Sequence, residues 1–444
     1  MCDYNISGDM ENYKKIYINY GKLGFLSLIY LLLTQNLIAI ILSRSDANIA
    51  KAVIALKDMY LVGAMLIVAS ALIVKLLRCK LALGNNCDLF MIFATIYLAI
   101  AYIISPNRNL LSLRQLMIIP LFYNFGRIYT GRVGVEWVRS SLLSLMIITC
   151  ASGYIERFIL YDQVESFWNL IGIRQYMVMK GMEQWSFGVG GTPGSFYSYD
   201  LAGFGNIVSL RRMVSLLFAE PTLFGQFLVM PTIYFILKKK PLPSVFFLSA
   251  IILALSKGGL LGVLVALSFY KMQRINNYSV KIFIATASCS LVSTVMYLSY
   301  YTASFHSVAV HVLGLVNNLQ SLIQFPFGKG IGSMGNMAAL ASYATGEALD
   351  DDATGESFLG TLAGQLGIPG VVLYILLFYH VWKINTANKG EFLSAVKYSL
   401  LATLVAGIGS ESAISYVGTG YLFALHPFLI KTAEKNEIAE CRQY

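Results

Sequence analysis

The sequence predicts an all-α, polytopic integral membrane protein of about twelve transmembrane helices. Three observations predict it: an apolar composition, apolar blocks of bilayer length, and basic residues confined to one set of loops. Of the 444 residues, 57% are hydrophobic and 13% are charged, against roughly a quarter charged in a soluble globular chain. A water-soluble core cannot absorb that much apolar sequence. Crossing a hydrocarbon layer about 30 Å thick takes roughly 20 helical residues. Helices are the spanning form expected, because lipid cannot satisfy exposed backbone groups.

Reading apolar blocks and their breaks in order predicts spans near 23–43, 57–76, 87–105, 111–128, 137–155, 213–236, 242–256, 258–271, 280–301, 357–382, 392–409 and 412–430. The first block, Gly24 to Leu42, is longer than the core of a cleavable signal and lacks a small-residue cleavage site, so it reads as a retained span. Lys14, Lys15, Lys22, Lys75, Arg78, Lys80, Arg127, Arg132, Lys238 to Lys240, Lys271, Arg274, Lys281, Lys383, Lys389, Lys431 and Lys435 all fall on one side. By the positive-inside rule that side is cytoplasmic, with both ends of the chain there. The seventh and eighth spans are short and meet at Ser256-Lys257-Gly258-Gly259, which predicts a hairpin turning below the opposite surface. A single membrane domain covers 1–444, and two long connections, 157–210 and 302–355, lie together on the external face. No internal repeat is visible, so the inverted-repeat signature of many transporters is missing.

The formal charge of +10 is dispersed in short clusters between spans, where it sets topology; no nucleic-acid partner is expected. Six cysteines fit no ligand spacing. Cys150 and Cys289 lie inside apolar spans, while Cys2, Cys79, Cys87 and Cys441 fall on or near the cytoplasmic side. They predict neither a zinc site nor a disulfide framework. His306 and His311, five apart, are a poor fit to one helix face, so no metal and no cofactor is expected.

Charges at the ends of apolar spans are costly and mark candidate functional positions. Arg211 and Arg212 are placed at the external start of the sixth span, with Glu220-Pro221 about two turns deeper. Two readings fit: an interfacial anchor with Glu220 as counter-ion, or an anion clamp in which a guanidinium fork holds a phosphate. Lys257 reads either as a hairpin-tip charge or as a second cation facing the same external cavity. Glu356, opening the tenth span, either caps that helix or takes a proton from a sugar hydroxyl. Asp350, Asp351 and Asp352 read as a solvated acidic run or a divalent-cation contact. The glycines at 328–335 lack the strand and Gly-Lys-Ser/Thr context of a phosphate loop, and read as a flexible external loop.

Four stretches in fixed order resemble the bacterial O-antigen polymerase and O-antigen ligase superfamily, whose polymerases are called Wzy-type. They are Arg212-Met-Val-Ser215-Leu-Leu-Phe218-Ala-Glu220-Pro221; Leu255-Ser256-Lys257-Gly258-Gly259; Gly328-Lys329-Gly330-Ile331-Gly332-Ser333; and Glu356-Ser357-Phe358 through Leu366-Gly367-Ile368-Pro369-Gly370. The resemblance covers about 205–375 together with the span count and loop placement; a lysine, Lys257, stands where the family has arginine. It implies a GT-C-like glycosyltransferase of the bacterial inner membrane with its active site facing the periplasm, inverting and metal-independent. Its substrates would be oligosaccharide repeat units linked through pyrophosphate to undecaprenol, with a chain-length regulator protein as a further partner. On that resemblance Arg212 (or Arg211) and Lys257 would hold the pyrophosphate and Glu356 would orient or deprotonate the acceptor hydroxyl, with Glu220 and Lys329 as further substrate-binding residues. Trp168, Trp185, Tyr197 and Tyr199 would offer faces for sugar stacking. The alternatives are an O-antigen ligase, against which Glu356 stands where ligases carry histidine, and a lipid-linked oligosaccharide flippase or transporter, for which Lys57 and Arg114 are the early-span charges.

Overall fold

A computed structural model describes residues 6–77, 86–106, 108–160, 164–179, 196–198, 210–275, 277, 279, 286, 306–339, 356–386 and 390–441. The chain begins with two long helices, α1 (Ile6–Ser43) and α2 (Ala47–Leu77), followed by α3 (Asn86–Ile104). Next come α4 (Leu110–Leu116), α5 (Ile118–Tyr129) and α6 (Val135–Tyr154), which runs into a π-turn at Ile155–Ile159. Short helices α7 (Val164–Ile171) and α8 (Ile173–Met179) precede a two-residue antiparallel pair, β1 (Tyr197–Ser198) with β2 (Leu210–Arg211), in which Tyr197 faces Arg211. Then follow α9 (Pro221–Phe227), α10 (Val229–Leu237), α11 (Pro241–Leu253), α12 (Lys257–Arg274) and α13 (His306–Gln324). The chain closes with α14 (Phe358–Lys383), α15 (Gly390–Gly409), a short 3-10 turn at Glu411–Ala413, and α16 (Gly420–Cys441).

Among the described residues, four helical segments are long and apolar enough to cross a bilayer: Cys87–Ile104, Val135–Ile159, Phe358–Lys383 and Gly390–Gly409. They differ in how they use that apolar surface. The window in α15 is 72% buried, because α10, α12, α14 and α16 all pack on it, whereas the window in α3 is 33% buried and turns Phe93, Ile96, Ile100 and Ile103 outward. The first is an interior post and the second a perimeter helix, the two ways an all-apolar helix can be used.

Several boundaries differ from the sequence expectation. The fourth expected span, 111–128, is broken at Met117 into α4 and α5. The sixth begins at Pro221 rather than 213: residues between β2 and Pro221 are extended or turned, and proline, which has no N–H, opens α9 at its first position. Arg211, Arg212 and Glu220 therefore do not share a helix face. The turn between α11 and α12 lies at Ala254–Ser256, where Leu255 takes φ +48°, and Ser256 caps α12 by accepting from Gly259 N at 3.2 Å. Lys257 is thus the first residue of a helix and not a hairpin tip. Gly259 serves packing: a Cβ there would lie 2.9 Å from the Gly225 backbone of α9. The ninth expected span, 280–301, lies outside the described residues except position 286.

The two connections are not bare loops. The first contains α7, α8 and the β pair, and the second contains the 19 residues of α13. The glycine stretch after α13 is packed into a break in α14, where Gly367 leaves helical geometry at φ 68°, ψ −153°. That break frees carbonyls, and the loop satisfies them: Lys329 N donates to Gly364 O at 2.8 Å and Gly330 N to Gln365 O at 3.1 Å. Ile331 N donates to Ser105 Oγ at 2.6 Å and Gly332 N to Gln365 Oε1 at 3.3 Å, which leaves these four amides committed to protein acceptors rather than to a phosphate. Gly328 has φ +83°, and a Cβ there would sit 2.3 Å from Gln365 O, so this position requires glycine twice over.

Candidate active site

Three segments meet around Arg212. Its backbone N–H donates to Phe196 O at 2.7 Å, and the next residue, Met213, donates to Leu253 O at 2.9 Å, laying the extended segment along the end of α11. The guanidinium then donates through Nε to Ala254 O at 2.9 Å and through Nη2 to Leu255 O at 3.4 Å. It thereby covers carbonyls that a helix C-terminus leaves without intrahelical partners and complements the negative end of the dipole. Burial pushes the Arg212 guanidinium below its usual value, and the nearby Glu220 carboxylate opposes that shift. Glu220 is exposed at the start of α9 and accepts from Thr222 Oγ1 at 3.0 Å. Ser256 Oγ donates to Thr222 O at 3.1 Å, which ties α9 to the start of α12.

Arg212 and Lys257 are thus brought to one turn, the lysine two residues beyond the carbonyl that the arginine holds. Lys257 is exposed and stands at the N-terminus of an 18-residue helix, whose positive dipole end adds to its charge. Arg211 goes elsewhere. It is paired with Glu156 in the π-turn after α6; Glu156 is wholly buried and also accepts from Trp168 Nε1 at 3.2 Å. This pairing removes Arg211 from the anion-clamp reading. Trp168 is corrected with it: the indole is fully buried, with Phe196 edge-on at 5.5 Å and Phe167 at 5.6 Å, and it has no face open to a sugar.

The acidic group is built at the start of α14. Glu356 does not cap that helix; the neighbouring Ser357 does, accepting from Gly360 N at 2.9 Å. The Glu356 carboxylate instead lies 3.3 Å from His311 Nε2 on α13, and the Glu356 carbonyl accepts from Glu411 N at 2.6 Å. His311 Nδ1 is also 3.2 Å from that carbonyl. Glu411 is the residue that sequence reading misses. It lies in the 3-10 turn outside the long spans, is 2% exposed, and accepts from Asn336 N at 2.8 Å and from Thr361 Oγ1 at 3.5 Å. Burial pushes its carboxyl up to about 8, with Glu356 adding in the same direction while the bonds from Asn336, Thr361 and Gln115 oppose. Glu411 is therefore a largely neutral acid near pH 7, beside a second carboxyl. The only sequence signal for it is a lone glutamate between two apolar blocks.

The two groups are connected. The 3-10 turn carrying Glu411 packs on α9 and on α14. A small cleft of about 10 Å³, room for roughly one water molecule, is lined by Gly258, Gln226, Thr403, Ala413 and Thr419. Gln226 Oε1 is buried there without a hydrogen-bond partner.

The remaining candidates are placed as follows. Lys329 extends over the Phe325 ring at 5.3 Å, beside the packed glycine stretch. Tyr197 contributes backbone to β1; Trp185, Tyr199 and Asp350 to Asp352 lie outside the described residues. Arg114 pairs with Asp58 at 3.1 Å and lies over Tyr416 at 4.7 Å, so this early-span charge is compensated within the bundle.

Glu411 also yields a pH prediction. Between 4.5 and about 8 the folded chain holds a proton on Glu411 that an unfolded chain has lost. Stability from this group therefore falls as pH rises through that window and is flat on either side. Glu411→Gln keeps the size and an acceptor but cannot ionise. Its unfolding free energy should match the parent near pH 4.5 and exceed it increasingly toward pH 8, by about 5 kcal/mol at full ionisation, with the thermal midpoint following the same trend. A parallel pair of pH curves would remove the neutral-acid assignment.

Compared with known proteins, the chain matches no family model and no curated protein.

Proposed function

We propose that this chain is a membrane glycosyltransferase that joins oligosaccharide repeat units carried on a polyprenyl pyrophosphate, releasing the polyprenyl pyrophosphate. The observation that carries the reading is that α9 packs against both groups: its Thr222 O accepts from Ser256 at the start of α12, beside Lys257, and the 3-10 turn carrying Glu411, whose N–H donates to the Glu356 carbonyl, packs on α9 as well. Cations and acid–base groups gathered at the ends of neighbouring elements are what a displacement at a sugar carbon needs.

In this scheme the acceptor hydroxyl gives its proton to Glu356, whose carboxylate is held by His311. Its oxygen forms a bond to the anomeric carbon of the donor as the bond from that carbon to the pyrophosphate breaks. The departing pyrophosphate gains negative charge, which Lys257 and the amide end of α12 stabilise. Arg212 acts as a positioning residue that holds the Ala254–Ser256 turn while adding positive potential. Glu411, kept neutral, limits the repulsion that a second carboxylate would impose on Glu356. The resemblance to the O-antigen polymerases supports the substrate class, and with it the GT-C-like arrangement of about twelve spans, an inner-membrane location and a periplasmic site.

The test is reconstitution of the full chain in liposomes with undecaprenyl-pyrophosphate-linked oligosaccharide. Longer lipid-linked chains with stoichiometric free undecaprenyl pyrophosphate are expected. Movement of intact substrate between leaflets without bond formation would replace this reading with a transporter, and transfer only to a lipid A core sugar would replace it with a ligase.

A further inference from the structure

At the far end of α14 from Glu356, roughly 30 Å away along the helix, three helices bring together residues that the sequence keeps far apart. Cys87 opens α3, His380 lies in the last turn of α14, and His426 lies early in α16. One ligand atom from each lies within 4.8 Å of the other two. Sequence spacing predicts no metal ligands here because the three residues come from separate helices, and only the packing of α3, α14 and α16 assembles them.

A second observation points to a missing partner. His426 is 0% exposed, and neither ring nitrogen has a hydrogen-bond partner; His380 Nε2 is likewise buried without one. A neutral imidazole carries one donor and one acceptor, and leaving either unsatisfied in an apolar interior is destabilising. The rings of His380 and His426 lie 5.4 Å apart in an edge-to-face arrangement, and Tyr123 packs edge-to-face on His426 at 5.4 Å. The surroundings therefore hold the His426 imidazole in place without bonding it. Cys87 is 2% exposed, and its neighbour Asp88 accepts from Tyr123 at 2.6 Å and from Arg127 Nε at 2.8 Å. That ordered shell fixes the first turn of α3, on which the thiol stands.

We propose that Cys87, His380 and His426 form a buried site for a thiophilic metal ion, Zn²⁺ or Cu(I), that ties α3, α14 and α16 together. One sulfur and two imidazoles suit these ions and not Mg²⁺ or Ca²⁺, which require oxygen ligands. Bonds of about 2.0–2.3 Å at the tetrahedral angle place ligand atoms roughly 3.3–3.6 Å apart, so separations of up to 4.8 Å must close by at most about 1.5 Å, within reach of side-chain rotations. Binding releases the thiol proton and occupies one lone pair of each imidazole, which removes the unsatisfied acceptor. Because the ligands come from three helices, the ion stabilises the packed arrangement over any in which they separate. The site is remote from the cleft, so it does not depend on the glycosyltransferase reading.

The experiment uses the full chain purified in detergent and stripped of metal. Elemental analysis after exposure to zinc chloride, or to Cu(I) supplied as a weak chelate, should give one ion per chain and identify which ion is held. Co²⁺ should produce an intense thiolate-to-metal absorption band. The band should vanish in Cys87→Ser and persist in a chain whose five other cysteines are changed to serine, while His426→Gln should weaken binding at least tenfold. The all-but-Cys87 chain keeps the proposal testable should Cys87→Ser fail to fold. A band retained in Cys87→Ser, or no band in the parent chain, would overturn the site. Both readouts are independent of chain-elongation activity, so loss of the metal site and loss of the glycosyltransferase reading remain separate outcomes.

Discussion

Glu356→Gln should lower chain elongation by on the order of 10²–10⁴-fold, the usual contribution of a positioned general base, while leaving protein level and donor affinity close to the parent. The substitution is clean for a structural reason. Ser357 caps α14, and it is the Glu356 backbone carbonyl that holds Glu411 N and His311 Nδ1, so glutamine disturbs neither contact. What is lost is a carboxylate able to take a proton next to His311. Lys257→Ala provides the complementary measurement. It removes the exposed cation that faces the charge developing on the departing pyrophosphate, so turnover should fall and donor affinity should weaken with it, whereas Glu356→Gln should spare donor affinity. Steady-state elongation with varied donor separates the two effects. Parental turnover in Glu356→Gln would assign that residue to holding α13 against α14, and the acid–base scheme would fall with it.

Arg211→Met should destabilise the fold by about 3–5 kcal/mol, because it takes from the buried Glu156 carboxylate the guanidinium that is paired with it. Changing both residues, Arg211→Met with Glu156→Gln, should recover most of that loss, since the uncompensated charge is gone. Thermal unfolding in detergent reads both, and the Trp168 indole, which donates to Glu156 at 3.2 Å, offers a fluorescence signal close to the change. A parental midpoint in the single variant, accompanied by lost activity, would return Arg211 to the anion-binding role that the adjacent arginines suggested. The structure separates the two arginines through backbone geometry. Successive residues of an extended segment project to opposite sides, so Arg211 turns to the π-turn after α6 while Arg212 reaches the end of α11.

That alternation illustrates a wider division. Sequence alone determined the helical, apolar character of the chain, because a block of about 20 apolar residues has few other outcomes in lipid. It also placed the starts of two helices to within a residue: α12, expected from 258, begins at Lys257, and α14, expected from 357, begins at Phe358. These are local signals, set by capping hydroxyls, glycine and proline within a few residues. Reading the 213–220 stretch as helix failed because an apolar run carries no period that separates a buried extended segment from a helix. Tertiary structure decided the rest. Glu411 became a neutral, buried acid because Asn336, Thr361 and the Glu356 backbone close over it. The glycine stretch became a packed insert because α14 breaks at Gly367 and offers it carbonyls. Cys87, His380 and His426 became neighbours because three separate helices cross there. Each of these properties belongs to groups far apart in the chain or to the desolvation they impose on one another, and neither quantity exists until the chain is packed.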